Sequence, residues 1–190
     1  MPVTHQERDR YPSASPNKMS YNVFLASDHH FGHRNTYEVF KQPDGSPVRD
    51  FSCMEEGEEI IVQRHNAVVK PNDRVYFLGD VAMPKSGLAT LARMNGRKVL
   101  IKGNHDVHKL SQYVQYFDDI RGSHQLSGIL MTHIPVHEDS LARWGFNVHG
   151  HLHTNRVRTW DGSIDERYLC VCVEQISYTP ISLEEVKSKR

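Results

Sequence analysis

RVYFLGD (74–80) follows a Pro-Asn-Asp break at 71–73 and ends in an aspartate. Its short apolar run, bounded by turn formers, reads as a buried strand. Upstream, YNVFLAS (21–27) has the same form and runs straight into Asp28. Downstream, RKVLIKGNHD (97–106) is a third apolar run opening into a polar loop. Helix-forming segments lie between and beyond these runs. MEEGEEIIVQRHNAVV (54–69) carries apolar residues at Ile60, Ile61, Ala67 and Val68, LATLARM (88–94) is predicted as a short helix, and HKLSQYVQYF (108–117) as another. QPDGSP (42–47) is a turn-rich surface loop. This alternation of strand and helix predicts an α/β fold with a parallel sheet.

From about residue 120 the pattern changes. IRGSHQL, GILMTHI, NVHGHLH and RYLCVCVEQ read as short strands, with a short helix near 138–144 and one or two helical turns in PISLEEVKSK. The polar, proline-containing stretch 1–19 has no period and is expected to be a flexible arm, leaving 20–190 as a single domain. No internal repeat or linker divides the rest.

The chain has 190 residues, 38% of them hydrophobic, which supports one sizeable core. With 23 basic and 23 acidic residues the formal charge is zero, so no global field draws it to nucleic acid or an anionic membrane. It contains no apolar run long enough to span a bilayer, and the first 20 residues lack the apolar core of a secretory signal. Cys53, Cys170 and Cys172 cannot all pair. Cys170 and Cys172 alternate on one strand face and are expected to pack as small hydrophobes, which fits a reducing, cytoplasmic setting.

Thirteen histidines are the conspicuous feature of the composition. Several fall, with carboxylates, where predicted strands end, as sites in open α/β sheets do. SDHHFGH (27–33) offers Asp28 and His30. LGDVA (78–82) offers Asp80, and KGNHD (102–106) offers Asn104, His105 and Asp106. MTHIP (131–135) offers His133, and HGHLH (149–153) offers His151 and His153. Carboxylate, imidazole and amide oxygen together suit Mn, Fe, Ni, Co or Zn, and the absence of cysteine argues against a structural zinc site. Seven candidate ligands exceed the needs of one tetrahedral ion; two ions sharing a carboxylate would use them all.

In this order, Asp28-x-His30, Gly79-Asp80, Gly103-Asn104-His105-Asp106, His133 and Gly150-His151-x-His153 resemble the calcineurin-like metallophosphoesterase superfamily. SDHHFGH, AVVKPNDRVYFLGD, VLIKGNHD, VHGHLH and SYTPISLEE resemble its small bacterial and phage-type members, over residues 21 to 184. The resemblance implies a four-layer α/β/β/α sandwich of two mixed sheets flanked by helices. It implies two divalent metal ions, with manganese first among the candidates. One would be held by Asp28, His30 and His153, the other by Asn104, His133 and His151, with Asp80 bridging. His105 would contact the substrate phosphate without binding metal, and Asp106 would orient His105. The chain departs from a common pattern after the bridging motif, where Met83 stands in place of a further aspartate.

The expected activity is hydrolysis of phosphate esters by a metal-bridging hydroxide, phosphodiesters of nucleotides or nucleic acid first and monoesters second. His33 and Arg34 follow the first motif closely enough to reach a phosphate, or else face solvent as a pair. His29 is expected to point away from the ligands, His149 to pack beside the last motif, Trp144 to pack on its helix, and Arg156 and Arg158 to form a solvated face. Within the resembled superfamily, scaffold members such as a retromer subunit tend to lose a ligand or the histidine, and here all are present. A metallo-β-lactamase type site would need His-x-His-x-Asp-His, whereas Thr154, Asn155 and Arg156 follow His153.

Overall fold

The computed structural model describes residues 21–190; the arm expected at 1–19 lies outside the described residues. Two mixed sheets flanked by helices form the fold. The first sheet contains β1 (Val23–Ala26), β2 (Arg74–Phe77), β3 (Arg97–Ile101), β4 (Asp119–Arg121) and β9 (Ile181–Ser182), in the order β4-β3-β2-β1-β9. Its first four strands are parallel and β9 runs antiparallel to β1. The second sheet has the order β5 (His124–Leu126), β6 (Ile129–Met131), β7 (Asn147–His149), β8 (Tyr168–Cys170), with only β5 antiparallel to its neighbour.

The period of two along each strand builds two cores. Val23 and Leu25 of β1, Tyr76 and Leu78 along β2, and Val99 and Ile101 of β3 join Ile129, Met131 and Val148 in one buried cluster that includes both sheets. Their neighbours Phe24, Val75, Phe77 and Leu100 face the other way. They pack in a second cluster with Ile61 and Val62 of the helix Met54–Val68 and with Leu88 and Leu91 of a 3-10 helix at Lys85–Arg93. Both faces of the first sheet are therefore covered, which is why its strands read as near-continuous apolar runs.

Several segments differ from the sequence-based expectation. IRGSHQL is two strands in different sheets, β4 and β5, because the chain crosses over at Gly122–Ser123. The helix expected at 108–117 shrinks to Leu110–Tyr113, since Leu110 and Val114 face solvent and only Tyr113 and Phe117 bury apolar surface. NVHGHLH is extended only to His149, and the two histidines beyond it turn away from the sheet. At the far end a complete capping box, Ser182 with Glu185, starts the helix Leu183–Ser188.

Candidate metal centre

Asp28, Asp80, Asn104, His133, His151 and His153 all lie on loops leaving the carboxyl ends of β1, β2, β3, β6 and β7. The sheets join at that end through Ser27, whose N–H donates to Val171 O (2.9 Å) and whose carbonyl accepts from Val173 N (3.0 Å). Asp28, His30, Asp80, His151 and His153 all hold positive φ, between 50° and 68°. They make up five of the eight non-glycine residues in that region among the described residues. Such conformations cost about 1–3 kcal/mol each and persist where surrounding structure fixes them.

Close approach of loops requires glycine at two positions. Gly79 has φ +94°, and a Cβ there would lie 2.6 Å from Gly103 N and 2.5 Å from the His133 ring. A Cβ on Gly150 would fall on the Ser27 hydroxyl and the Asp28 carboxylate.

Two groups of donors result. Asp28, His30 and His153 form one, and Asp80, His133 and His151 the other, with the ligand atoms of each within 4.8 Å of one another. Asp80 lies between them, with Oδ2 3.7 Å from His30 Nε2 and 3.4 Å from His133 Nε2. Asn104 Oδ1 lies 2.8 Å from His133 Nε2, on the side of the second group.

The donor set fits cations. Asp28 Oδ2 is taken up by Ser27 Oγ (2.5 Å), His151 N (2.8 Å) and Cys172 Sγ (3.2 Å). Its other oxygen, Oδ1, is buried without a partner, as are both nitrogens of His30. Buried polar groups are otherwise nearly always paired, so these free donors ask for a ligand. His133 Nδ1 donates to the Leu78 carbonyl (2.7 Å), which leaves Nε2 facing two further acceptors, Asn104 Oδ1 and Asp80. A proton or a cation must sit among them. The field says the same: burial lowers the His133 pKa, but Asp80 and Asp28 lift it to about 9. Burial raises the Asp28 and Asp80 carboxyls, yet the surrounding imidazoles hold both below the usual range.

The other sequence-predicted residues divide. His105 is exposed beside the first group, its ring 5.6 Å from that of His30, and its backbone N–H donates to Asp80 Oδ1 (2.8 Å). His33 lies 5.7 Å from the His30 ring. Arg34 is turned elsewhere: its guanidinium pairs with Glu38 (2.8 Å) and Glu55 (2.9 Å), so its charge is engaged on the helices. Asp106 also differs from expectation, since its described hydrogen bonds do not reach the His105 ring. Its carboxylate accepts from the N–H groups of Asp80 (2.9 Å), Val81 (3.1 Å) and Gly103 (2.8 Å), clamping the second and third loops together. Asp106→Asn would turn an amide N–H₂ toward these donors and leave at least one of them unpaired. Urea denaturation of the metal-free protein should show a loss of about 1–3 kcal/mol.

His29 packs on Phe31 and Phe77, and His149 is buried with Nδ1 against its neighbouring carbonyl. Cys170 and Cys172 are buried free thiols with sulfurs 3.3 Å apart, but Cys172 does more than pack because its thiol donates to Asp28. Sequence reading missed Arg49, fully buried at the foot of the first loop, and Glu174, whose carboxylate meets His153. An acid two residues beyond a cysteine pair on a strand end was the only visible signal for Glu174, and Arg49 had none.

No family model matches the chain. It is similar to the Gene 66 protein of Mycobacterium phage L5, at 25% identity over 72% of this chain and 79% of the phage protein. A crystal structure of the protein of unknown function AQ665 from Aquifex aeolicus superposes with TM-score 0.64 at 28% identity, covering 88% of this chain and 98% of that one. The uncharacterized protein MJ1445 of Methanocaldococcus jannaschii is 30% identical over 167 residues, covering 85% of this chain and 87% of the archaeal protein. Shared over nearly the full length of both, this identity makes the chain a member of the family of MJ1445.

Proposed function

We propose that this chain is a dinuclear metal-dependent phosphoesterase of the calcineurin-like superfamily, acting on phosphodiesters of nucleotides or nucleic acid ahead of phosphomonoesters. The observation that carries this reading is the pair of Asp/His groups flanking one shared carboxylate, Asp80. Asp28, His30 and His153 would hold one ion, and His133, His151 and Asn104 the other. Manganese is the first choice among divalent ions that accept carboxylate, imidazole and amide oxygen. Bound there, two cations supply charge neutralisation for phosphate oxygens and an acidified water.

The chain's own residues do the rest. Asp28 is held by Ser27, His151 N and Cys172, so one oxygen is fixed and the other is free to bind. Asp106 keeps the Asp80 and Asn104 loops in register. His105, exposed beside His30, would meet a phosphate oxygen or a leaving group, and His33, also near the His30 ring, would bind the substrate phosphate. The half-exposed histidines of the last motif leave the site open enough for a nucleotide. No described helix is long and apolar enough to cross a membrane.

Elemental analysis after loading with saturating Mn²⁺ and desalting should give about two equivalents per chain. Loaded protein should hydrolyse bis-nitrophenyl phosphate and cyclic or linear nucleotide diesters faster than nitrophenyl phosphate. A firm plateau at one equivalent contradicts the dinuclear assignment, and a monoester preference reverses the substrate order.

A further inference from the structure

Arg49 is among the largest fully buried side chains of the protein, and nothing in the motif set requires it. Its guanidinium is spent on four partners: Glu174 Oε1 (2.9 Å), the Tyr37 hydroxyl (3.0 Å), and the backbone carbonyls of His29 (2.8 Å) and Asp28 (2.5 Å). Glu174 is equally hidden, with 3% of its side chain exposed, and the oxygen that meets Arg49 also accepts from His153 Nδ1 at 3.2 Å. From these contacts we infer that Arg49 and Glu174 are positioning residues for the first metal group. Glu174 aims His153, and Arg49 holds the Asp28 loop against it. This inference rests on the metal-centre reading above.

The imidazole has two nitrogens, and a ligand must present a lone pair on one of them. With Nδ1–H donated to Glu174, the lone pair is on Nε2, the atom that faces Asp28 Oδ1 across 3.9 Å. A carboxylate behind a metal-binding histidine also raises the basicity of the ring. An ionised Glu174 without Arg49 would be costly at this depth. The same arginine accounts for the first loop: the two carbonyls it binds belong to the stretch 28–30, where Asp28 and His30 hold strained positive φ. One ion pair thus ties together segments from residues 28, 49, 153 and 174, which the two sheets bring to the same end.

An ion pair serving the fold alone could be exchanged for apolar residues of similar volume without loss. That gives the test its variants. Glu174→Gln keeps an acceptor for His153 but removes the charge. The double variant Arg49→Met/Glu174→Leu removes both charges and the imidazole's partner together. Calorimetric titration with Mn²⁺ should show two equivalents in the wild type. In Glu174→Gln one equivalent should weaken and in the double variant weaken further, by about 10–100-fold, with the other unchanged. Asp28→Asn should weaken the same equivalent, and His151→Ala the other. Long-range ¹H–¹⁵N spectra of the metal-free protein, taken where the ring is neutral, should show His153 as the Nδ1–H tautomer in the wild type and lose that preference in the double variant. Should either folded variant bind both equivalents as the wild type does, the pair serves only the fold and the inference is overturned. A wild-type plateau below two equivalents overturns the metal-centre reading, and the inference with it.

Discussion

Asp80→Ala is expected to lose both metal equivalents and to reduce turnover at least about 10³-fold, because its carboxylate faces a histidine of each group. Its Oδ2 is within 3.7 Å of His30 and 3.4 Å of His133, which belong to different triads. Charge neutralisation by two ions is worth several kcal/mol at the transition state, and each 1.4 kcal/mol is about tenfold in rate. Asp80 Oδ1 also accepts from the His105 backbone N–H at 2.8 Å, so its loss frees the loop carrying Asn104 and His105. Asn104→Ala removes a donor from one group only. It should keep about one Mn²⁺ equivalent and measurable turnover. Equal metal content and equal residual activity in the two variants would remove the basis for assigning Asp80 to both ions.

How far this centre can be read from sequence follows from which side chains act within their own loop. Asp28 and His30, or His151 and His153, are two residues apart just beyond a strand, and that spacing is visible without a structure. The chain's alternation likewise shows that β1, β2 and β3 are covered on both faces. The positive φ shared by five of the candidate ligands cannot be read, because aspartate and histidine carry no mark of it in the sequence. Nor can Arg49 and Glu174, which are 125 residues apart and meet only through the fold. For Arg34 the sequence does carry a clue to the ion pair that the structure shows. Glu38 stands four residues on, the spacing at which opposite charges pair along a helix, and the two do so here. The resemblance implies that Asp106 orients His105, but the described hydrogen bonds of its carboxylate go to backbone N–H groups, which no sequence spacing shows, and the two neighbouring residues differ in exposure, Asp106 buried and His105 exposed.

That divergence isolates His105 for the second large effect. His105→Ala should leave metal content intact and slow turnover about 10²–10⁴-fold on substrates that need a proton at the leaving group. The ring is exposed, it lies beside His30 without belonging to either donor group, and the contact that anchors the residue to Asp80 is through its backbone N–H, which alanine retains. The loss should depend on the substrate. Nitrophenolate is the base of a fairly strong phenol acid and departs without protonation. A nucleoside alkoxide is a far stronger base and a poor leaving group, so it gains most from a nearby imidazolium. The ratio of wild-type to variant turnover should therefore be larger for a nucleotide diester than for bis-nitrophenyl phosphate. If the two substrates slow by the same factor, His105 stabilises charge on the phosphate and does not deliver the proton. If Mn²⁺ is lost instead, His105 is itself a ligand, and the assignment of Asn104 to the second group has to be redrawn.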